Sequence, residues 1–465
     1  MLGRRHSRLG IQRVAHSLDR EDRHKYAKGR EQYSYKNRQV MPQKTVGAAT
    51  VMAVGVSVGH KSTSFEYVRC IIVFYHPCCE NSTKNCKCFC TVDNPGFGCY
   101  KYTKANRTEE KTVDRFSSDV GHENALRNKK PQLAFDESAP FEPWKKAVRE
   151  KLTQLLGDMP ERVPLNLRVE WEKEYDTFLE KRISFDSEAD VCVPCHLWIP
   201  KNASKPCPVV ICLQGHSTGM HNSMGRQIHQ KDFDNMGRGG DRDFAVQAVA
   251  QGYAALVLEQ RGMGERLSPK SFIMPENTPA RAVEEYNHVG CLYPAMSALL
   301  QGRTLLGERV WEVSRAIDAL AEFEEIDTER VACLGNSGGG TTTYYAACMD
   351  ERIKIAVASC SVCTFIESIG ITAHCSCNYL PGMAKYLDMG ELAACIAPRK
   401  LIVVSGREDP IFHIEGSKKA YSVIEKIYKK AGCPENCEMV IGEGGHRFYA
   451  DPTWDIFNRL TGWKE

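Results

Sequence analysis

The chain has 465 residues, 42% of them hydrophobic and 26% charged, with a formal net charge of +3. Such a length supplies a large core, in one big domain with a tail or in several domains. A net charge this small demands no acidic partner, and no apolar run is long enough for a transmembrane helix, so neither nucleic acid nor a membrane is expected as a partner.

Residues 1–45 are basic and polar, with His6, His16 and His24 among them and no period that would bury a face. The expected state is disordered. Their charge allows nucleic-acid binding, but a solvated tail is the preferred reading. Thr45 to Gly59 is uncharged and would act as a signal h-region only if translation began at Met41. Seven of the 21 cysteines lie between Cys70 and Cys99. Cys86-Lys-Cys88-Phe-Cys90 lacks zinc-ribbon spacing, so no metal site is expected there. Asn81-Ser-Thr and Asn106-Arg-Thr are sequons that matter only in a secreted chain. The other fourteen cysteines are scattered through apolar runs such as Val210-Ile-Cys-Leu213, as small reduced core residues are. A reducing compartment, hence the cytoplasm, is the expected location. Residues 1–134 are therefore read as a basic, Cys-rich extension.

From Phe135 to the end the texture is that of one folded domain. Pro143 to Leu156 has Trp144, Val148, Leu152 and Leu155 on one helical face. Leu167 to Tyr175, Leu179 to Phe185 and Val191 to Ile199 suggest an antiparallel start to a sheet. Cys192-Val-Pro-Cys195 falls in the third, where a strand and not a redox helix is expected. Apolar strands then alternate with helices. The strands are Val209–Leu213, Ala254–Leu258, Val331–Gly335, Ile353–Ser359, Leu401–Ser405 and Cys437–Ile441. The helices are Asp241–Gln251, Leu306–Phe323, Thr341–Met349, Gly416–Lys430 and Trp454–Leu460. That alternation implies an α/β fold, a mostly parallel sheet flanked by helices with its ligand site at the carboxyl ends of the strands. Gln260 to Thr304 is expected to be irregular, with about 265–303 forming a cap.

The chemistry gathers at those strand ends. Gly335, Ser337 and Gly339 match G-x-S-x-G, a strand-to-helix corner in strained backbone where larger side chains two positions either side would collide. The corner exposes the Ser337 hydroxyl and leaves the Gly338 N–H facing a developing oxyanion. Asp409 follows the strand 401–405, and His446 follows the strand 437–441 in a glycine-rich exit. A hydroxyl nucleophile needs a base, and the imidazolium it creates needs a carboxylate. Ser337, Asp409 and His446 stand in the α/β-hydrolase order, with Glu408 and Asp388 as rival acids. The backbone N–H of His216, after Gly215 in Leu213-Gln-Gly-His-Ser-Thr-Gly219, is the second oxyanion donor expected. Its side chain either lines the pocket or packs on the loop. His221 and His229 lack supporting acidic spacing, so no metal is expected. Arg261, in Glu259-Gln-Arg-Gly-Met-Gly264, either clamps substrate or, the preferred reading, braces its loop by ion pairs. Tyr286, Asn287, His288 and Tyr293 in the cap are candidate substrate contacts.

The domain resembles the bacterial acetyl xylan esterase and dienelactone-hydrolase-like branch of the α/β-hydrolase superfamily. The matching pieces are Gln214-Gly-His216, Gln260-Arg-Gly-Met-Gly264, Gly302 to Trp311, Gly335-Asn-Ser-Gly-Gly339, Pro398-Arg-Lys-Leu with Gly406-Arg-Glu-Asp409, and Glu443-Gly-Gly-His446. The resemblance covers about 135–465. It implies a serine esterase acting on small acyl groups, often acetyl groups on sugars, without a cofactor, and it carries nucleophile, acid and base onto Ser337, Asp409 and His446. Arg261-Gly-Met263 and Ser337-Gly-Gly339 depart from the Arg-Gly-Gln and Ser-Gln-Gly usual in the acetyl-sugar enzymes, and dienelactone hydrolases proper use cysteine where this chain has serine. The expected partner is a small-molecule ester. A peptidase of the prolyl-oligopeptidase type is the nearest alternative, and a non-catalytic protein working through its basic tail the alternative from another class.

Overall fold

A computed structural model describes residues 118–235, 240–268, 289–372 and 374–464. The expectations for the basic tail, the Cys70–Cys99 cluster, the sequons, Tyr286, Asn287 and His288 lie outside the described residues.

In chain order the elements are α1 (Asp119–Arg127), α2 (Phe141–Leu156), β1 (Arg168–Glu174), β2 (Phe178–Glu188), β3 (Val191–Pro200), β4 (Cys207–Leu213), α3 (Gln230–Asn235) and α4 (Phe244–Ala250). Next come β5 (Ala254–Leu258), α5 (Leu292–Leu300), α6 (Leu305–Leu320), β6 (Ile326–Asn336), α7 (Gly338–Met349) and β7 (Ile353–Ser359). The single turn α8 (Met383–Tyr386), β8 (Lys400–Gly406), α9 (Ile414–Lys430), β9 (Cys437–Gly442) and α10 (Ala450–Thr461) complete the chain. The nine strands form one sheet in the order β1-β2-β3-β5-β4-β6-β7-β8-β9. β1, β2 and β3 pair antiparallel, and β3 meets β5 antiparallel. From β5 through β9 every pairing is parallel.

The period of two sorts each central strand into two cores. Val209, Ile211 and Leu213 of β4 pack into the core that holds α2, α6, α7 and α9. Val210 and Cys212 face the other core, with α4 and α10. Both faces are covered, which is why the buried parts of β4 through β8 read as apolar runs. Each fully buried Leu, Ile, Val or Phe contributes about 1.5–3 kcal/mol. Cys192 and Cys195 lie on β3, three residues apart and so on opposite faces, the first exposed and the second buried. No redox pair forms there.

Helix α6 shows how local signals set an element. Thr304 is its N-cap, accepting from the Gly307 N–H at 3.0 Å, and its hydroxyl donates to Leu156 O at 2.6 Å. A Cβ on Gly307 would stand 2.3 Å from Leu156 O, so only glycine lets α6 approach the end of α2 this closely.

Two expectations change. A helix, α1, precedes Phe135, and the stretch expected to be irregular between 260 and 304 contains α5. Leu292-Tyr-Pro-Ala-Met-Ser-Ala-Leu-Leu300 is apolar all round and has no single face to betray a helix. Its Pro294 sits in the first turn, where the missing N–H costs no helical bond. The centre of the expected cap lies outside the described residues. No helix among the described residues is long and apolar enough to cross a membrane.

Candidate active site

β6 delivers Ser337 at φ 58°, ψ −124°, a left-handed conformation costly for a residue with a side chain. The Ser337 N–H donates to Ser359 O at 2.8 Å, and α7 begins at once with Gly338. A Cβ on Gly335 would stand 2.4 Å from the Gly339 carbonyl, and one on Gly339 would stand 2.0 Å from Leu213 O. The two flanking glycines are thus required by close backbone approach. As the first helical residue, Gly338 has an N–H with no intrahelical acceptor.

The strand exits of β8 and β9 bring Asp409 to His446, with Nδ1 2.8 Å from Oδ2. Oδ1 of Asp409 accepts from the Ile411 and Phe412 N–H groups at 2.9 and 3.1 Å. Burial raises the Asp409 pKa, but the His446 bond and charge and the two backbone donors outweigh it, and the carboxyl stays ionised below its ordinary value. An ionised acceptor assigns the proton to Nδ1 and the lone pair to Nε2. Phe412 stacks on the imidazole, with centroids 6.0 Å apart and planes 14° from parallel. Of the rival acids, Glu408 is exposed. Asp388 accepts from the Phe365 and Met389 N–H groups as a turn residue.

The loop after β4 packs directly on the elbow. A Cβ on Gly215 would meet Asn336 O at 2.8 Å and Ser337 Cβ at 2.9 Å, and a Cβ on Gly338 would meet His216 Cε1 at 2.8 Å. Gly215, His216, Ser337 and Gly338 therefore share one corner of the molecule. His216 is half-buried, with its ring against Gly338 of the elbow. Its Nε2 edge faces thiols.

Three neighbours were not among the expected site residues. Glu259 and Gln260, 1% and 0% exposed, follow β5. Glu259 accepts from Gln214 Nε2 at 2.6 Å and from the Met220 and Glu265 N–H groups. Gln260 Nε2 donates to Gln214 O at 2.6 Å, and its Oε1 accepts from Thr342 Oγ1 at 2.7 Å, linking the loop after β4 to α7. Two polar residues at the end of an all-apolar strand were the available clue. Cys360 lies beside Asp409 and His446. Burial pushes its thiol up to about 12, so it stays neutral and donates to Arg447 O at 3.2 Å.

Burial also pushes Glu259 up to about 8. Its folded pKa then lies above the unfolded value, so its stabilising effect is full below about pH 4.5 and is lost as pH rises through about 8. Wild type should lose up to a few kcal/mol of stability between pH 5 and pH 8 that Glu259→Gln does not lose. Melting temperatures of both proteins across that range check this, and parallel curves would refute it.

Arg261 takes the bracing role. Its guanidinium lies 2.7 Å from Glu188, 2.9 Å from Glu308 and 2.7 Å from Glu312. Three carboxylates engage its one guanidinium. Arg303 and Arg266 complete the network at Glu188 and Glu312. Tyr293 is exposed on the first turn of α5. The His221 and His229 rings lie with centroids 5.5 Å apart. His221 Nε2 lies 2.9 Å from Asp232 Oδ2, which also accepts from the Ile228 and His229 N–H groups, while the Thr218 hydroxyl bonds the other oxygen.

A parallel sheet with helices on both faces, a serine on a strained elbow, and an Asp–His pair at later strand ends make up the α/β-hydrolase fold. Comparison with known proteins agrees. A model of the Abhydrolase family (Abhydrolase_7) matches residues 99–285. The Bacillus subtilis (strain 168) protein YtaP, provisionally named a hydrolase, is 24% identical over 301 residues, 64% of this chain and 92% of YtaP. A Bacteroides fragilis NCTC 9343 structure provisionally named an acetyl xylan esterase superposes with TM-score 0.55 at 18% identity, covering 73% of this chain and 84% of that one. A glucuronoyl esterase from Solibacter usitatus superposes with TM-score 0.53 at 16% identity, covering 72% of this chain and 97% of that one.

Proposed function

We propose that this chain is a serine carboxylic-ester hydrolase that acts on esters of carbohydrates or similar small alcohols. The observation that carries the reading is the 2.8 Å Asp409–His446 bond at the exits of β8 and β9, in the same parallel sheet whose β6 leads into the Ser337 elbow. The names of the two structural neighbours, an acetyl xylan esterase and a glucuronoyl esterase, support the carbohydrate side of it.

In this mechanism Nε2 of His446 takes the Ser337 proton as Oγ attacks the ester carbonyl carbon. The N–H groups of Gly338 and His216 hold the oxyanion. Collapse breaks the C–O bond to the alcohol, which leaves with the proton from His446. Water, deprotonated by the same nitrogen, attacks the acyl-enzyme and releases the acid and Ser337. Asp409 stabilises the imidazolium in both halves. Proton abstraction from Ser337 needs a free lone pair on Nε2.

A fluorophosphonate probe should label Ser337, located by peptide mass spectrometry, and the labelled protein should lose hydrolysis of p-nitrophenyl acetate. Acetylated xylo-oligosaccharides and methyl glucuronate then divide the acyl-side from the uronate-side substrates. Labelling at another residue, or cleavage of proline-containing peptides without any ester hydrolysis, would overturn the proposal.

A further inference from the structure

His216 has a second environment besides the elbow. Its Nε2 lies 3.2 Å from Cys377 Sγ and 3.6 Å from Cys291 Sγ. Cys375 completes a group of four whose ligand atoms all lie within 4.8 Å of one another. The four come from three separate segments: the loop after β4, the turn just before α5, and the loop between β7 and α8. Cys291 and Cys377 are 0% and 4% exposed, in a small apolar pocket with Ala295 and Leu305.

A second observation concerns charge. Arg309 of α6 is 2% exposed. Its Nε and Nη2 donate to Arg261 O, and Nη2 also reaches Cys291 Sγ at 3.1 Å. Among the described residues no carboxylate pairs with it. A buried guanidinium without a counter-charge is strongly unfavourable. The groups beside it are the sulfur atoms of Cys291, Cys375 and Cys377. Three thiolates in mutual contact repel unless a cation lies among them.

We propose that His216 Nε2 and the thiolates of Cys291, Cys375 and Cys377 form a four-coordinate zinc site, which ties the oxyanion loop to two other loops. Zn–S bonds of about 2.3 Å and Zn–N bonds of about 2.0–2.1 Å place tetrahedral sulfur and nitrogen ligands roughly 3.5 Å apart. The observed 3.2 and 3.6 Å bracket that separation. Three thiolates and one Zn²⁺ leave one negative charge, which Arg309 neutralises. Binding expels three thiol protons. Sulfur-rich donors select zinc over magnesium or calcium, and four protein ligands leave no open position, so the site is structural. The metal holds the His216 ring against Gly338, and the proposal does not depend on the ester chemistry.

The test uses full-length protein and its Cys375→Ser/Cys377→Ser variant, both of which keep the seven N-terminal cysteines. Elemental analysis should find about one more zinc per chain in wild type than in the variant. Cobalt-exchanged wild type should show thiolate-to-cobalt charge-transfer absorption that the variant lacks. Equal metal content and equal cobalt spectra in a folded variant would overturn the site. A wild-type measurement decides the matter if the variant does not fold. Peptide-resolved alkylation should find Cys291, Cys375 and Cys377 protected until a chelator is added. Alkylation indifferent to the chelator, or a disulfide joining two of the three, would overturn the proposal.

Discussion

Replacing Ser337 with alanine should lower ester turnover by about 10⁴–10⁶-fold while leaving the melting temperature within a few degrees of wild type. The magnitude follows from what the hydroxyl does. Without it His446 has no nucleophile to activate, and only the oxyanion donors and substrate binding remain, which sustain a residual rate above that in water. The small effect on stability follows from where the residue sits. Its backbone, bonded to Ser359 O, and not its side chain, holds the corner. Alanine still bears a Cβ at φ 58°, so the elbow keeps its strain as well as its shape. Because the three residues act as a unit, His446→Ala should cost about as much, and combining the two should add little. Initial rates on p-nitrophenyl acetate with melting curves on the same preparations check both halves. Turnover within tenfold of wild type in a folded Ser337→Ala protein would remove the nucleophile assignment.

Replacing Glu312 with alanine should destabilise the protein by about 3–5 kcal/mol. Glu312 is 0% exposed on α6. Its carboxylate accepts from Arg261 at 2.7 and 2.9 Å and from Arg266 at 2.6 and 2.7 Å. Alanine leaves two guanidinium groups with one fewer anion in a site from which water is excluded, and the loss of partner outweighs the relief from burying a carboxylate. The same group sets an acid limit. Burial raises its pKa, but Arg266 and Arg261 together bring it down to about 2. A depressed folded pKa contributes stability that is present above the unfolded value near 4.5 and lost as pH falls through about 2. Wild type should therefore be more acid-sensitive over that window than Glu312→Gln, which has already lost the charge. Denaturant unfolding at neutral pH and acid titration followed by circular dichroism measure the two effects. A loss below about 1 kcal/mol in Glu312→Ala, the range of exposed ion pairs, would show the network to be superficial.

The parts of the site that could be seen in advance share a physical cause. Gly335, Ser337 and Gly339 declare themselves because a strained corner restricts residue type over a few adjacent positions. Asp409 and His446 declare themselves because each follows its own apolar strand, and a parallel sheet gathers such exits at one end. The strands themselves were visible because burial on both faces leaves unbroken apolar runs. Helix α5 was hidden by the converse effect, since a segment apolar all round has no period. The partners of Arg261 were also hidden. Glu188, Glu308 and Glu312 come from β2 and α6, and nothing in their local sequence marks them as buried ions.

By itself the sequence determined the strand and helix alternation, the elbow, and the order Ser337, Asp409, His446, because each depends on local spacing. Only the tertiary structure decided that Arg261 meets Glu188, Glu308 and Glu312, that Glu259 and Gln260 bond to the loop after β4, and that His216 faces Cys291, Cys375 and Cys377. Those contacts join residues dozens to more than a hundred positions apart. Chain spacing carries no information about such meetings, which exist only once the sheet has brought its loops to a common end.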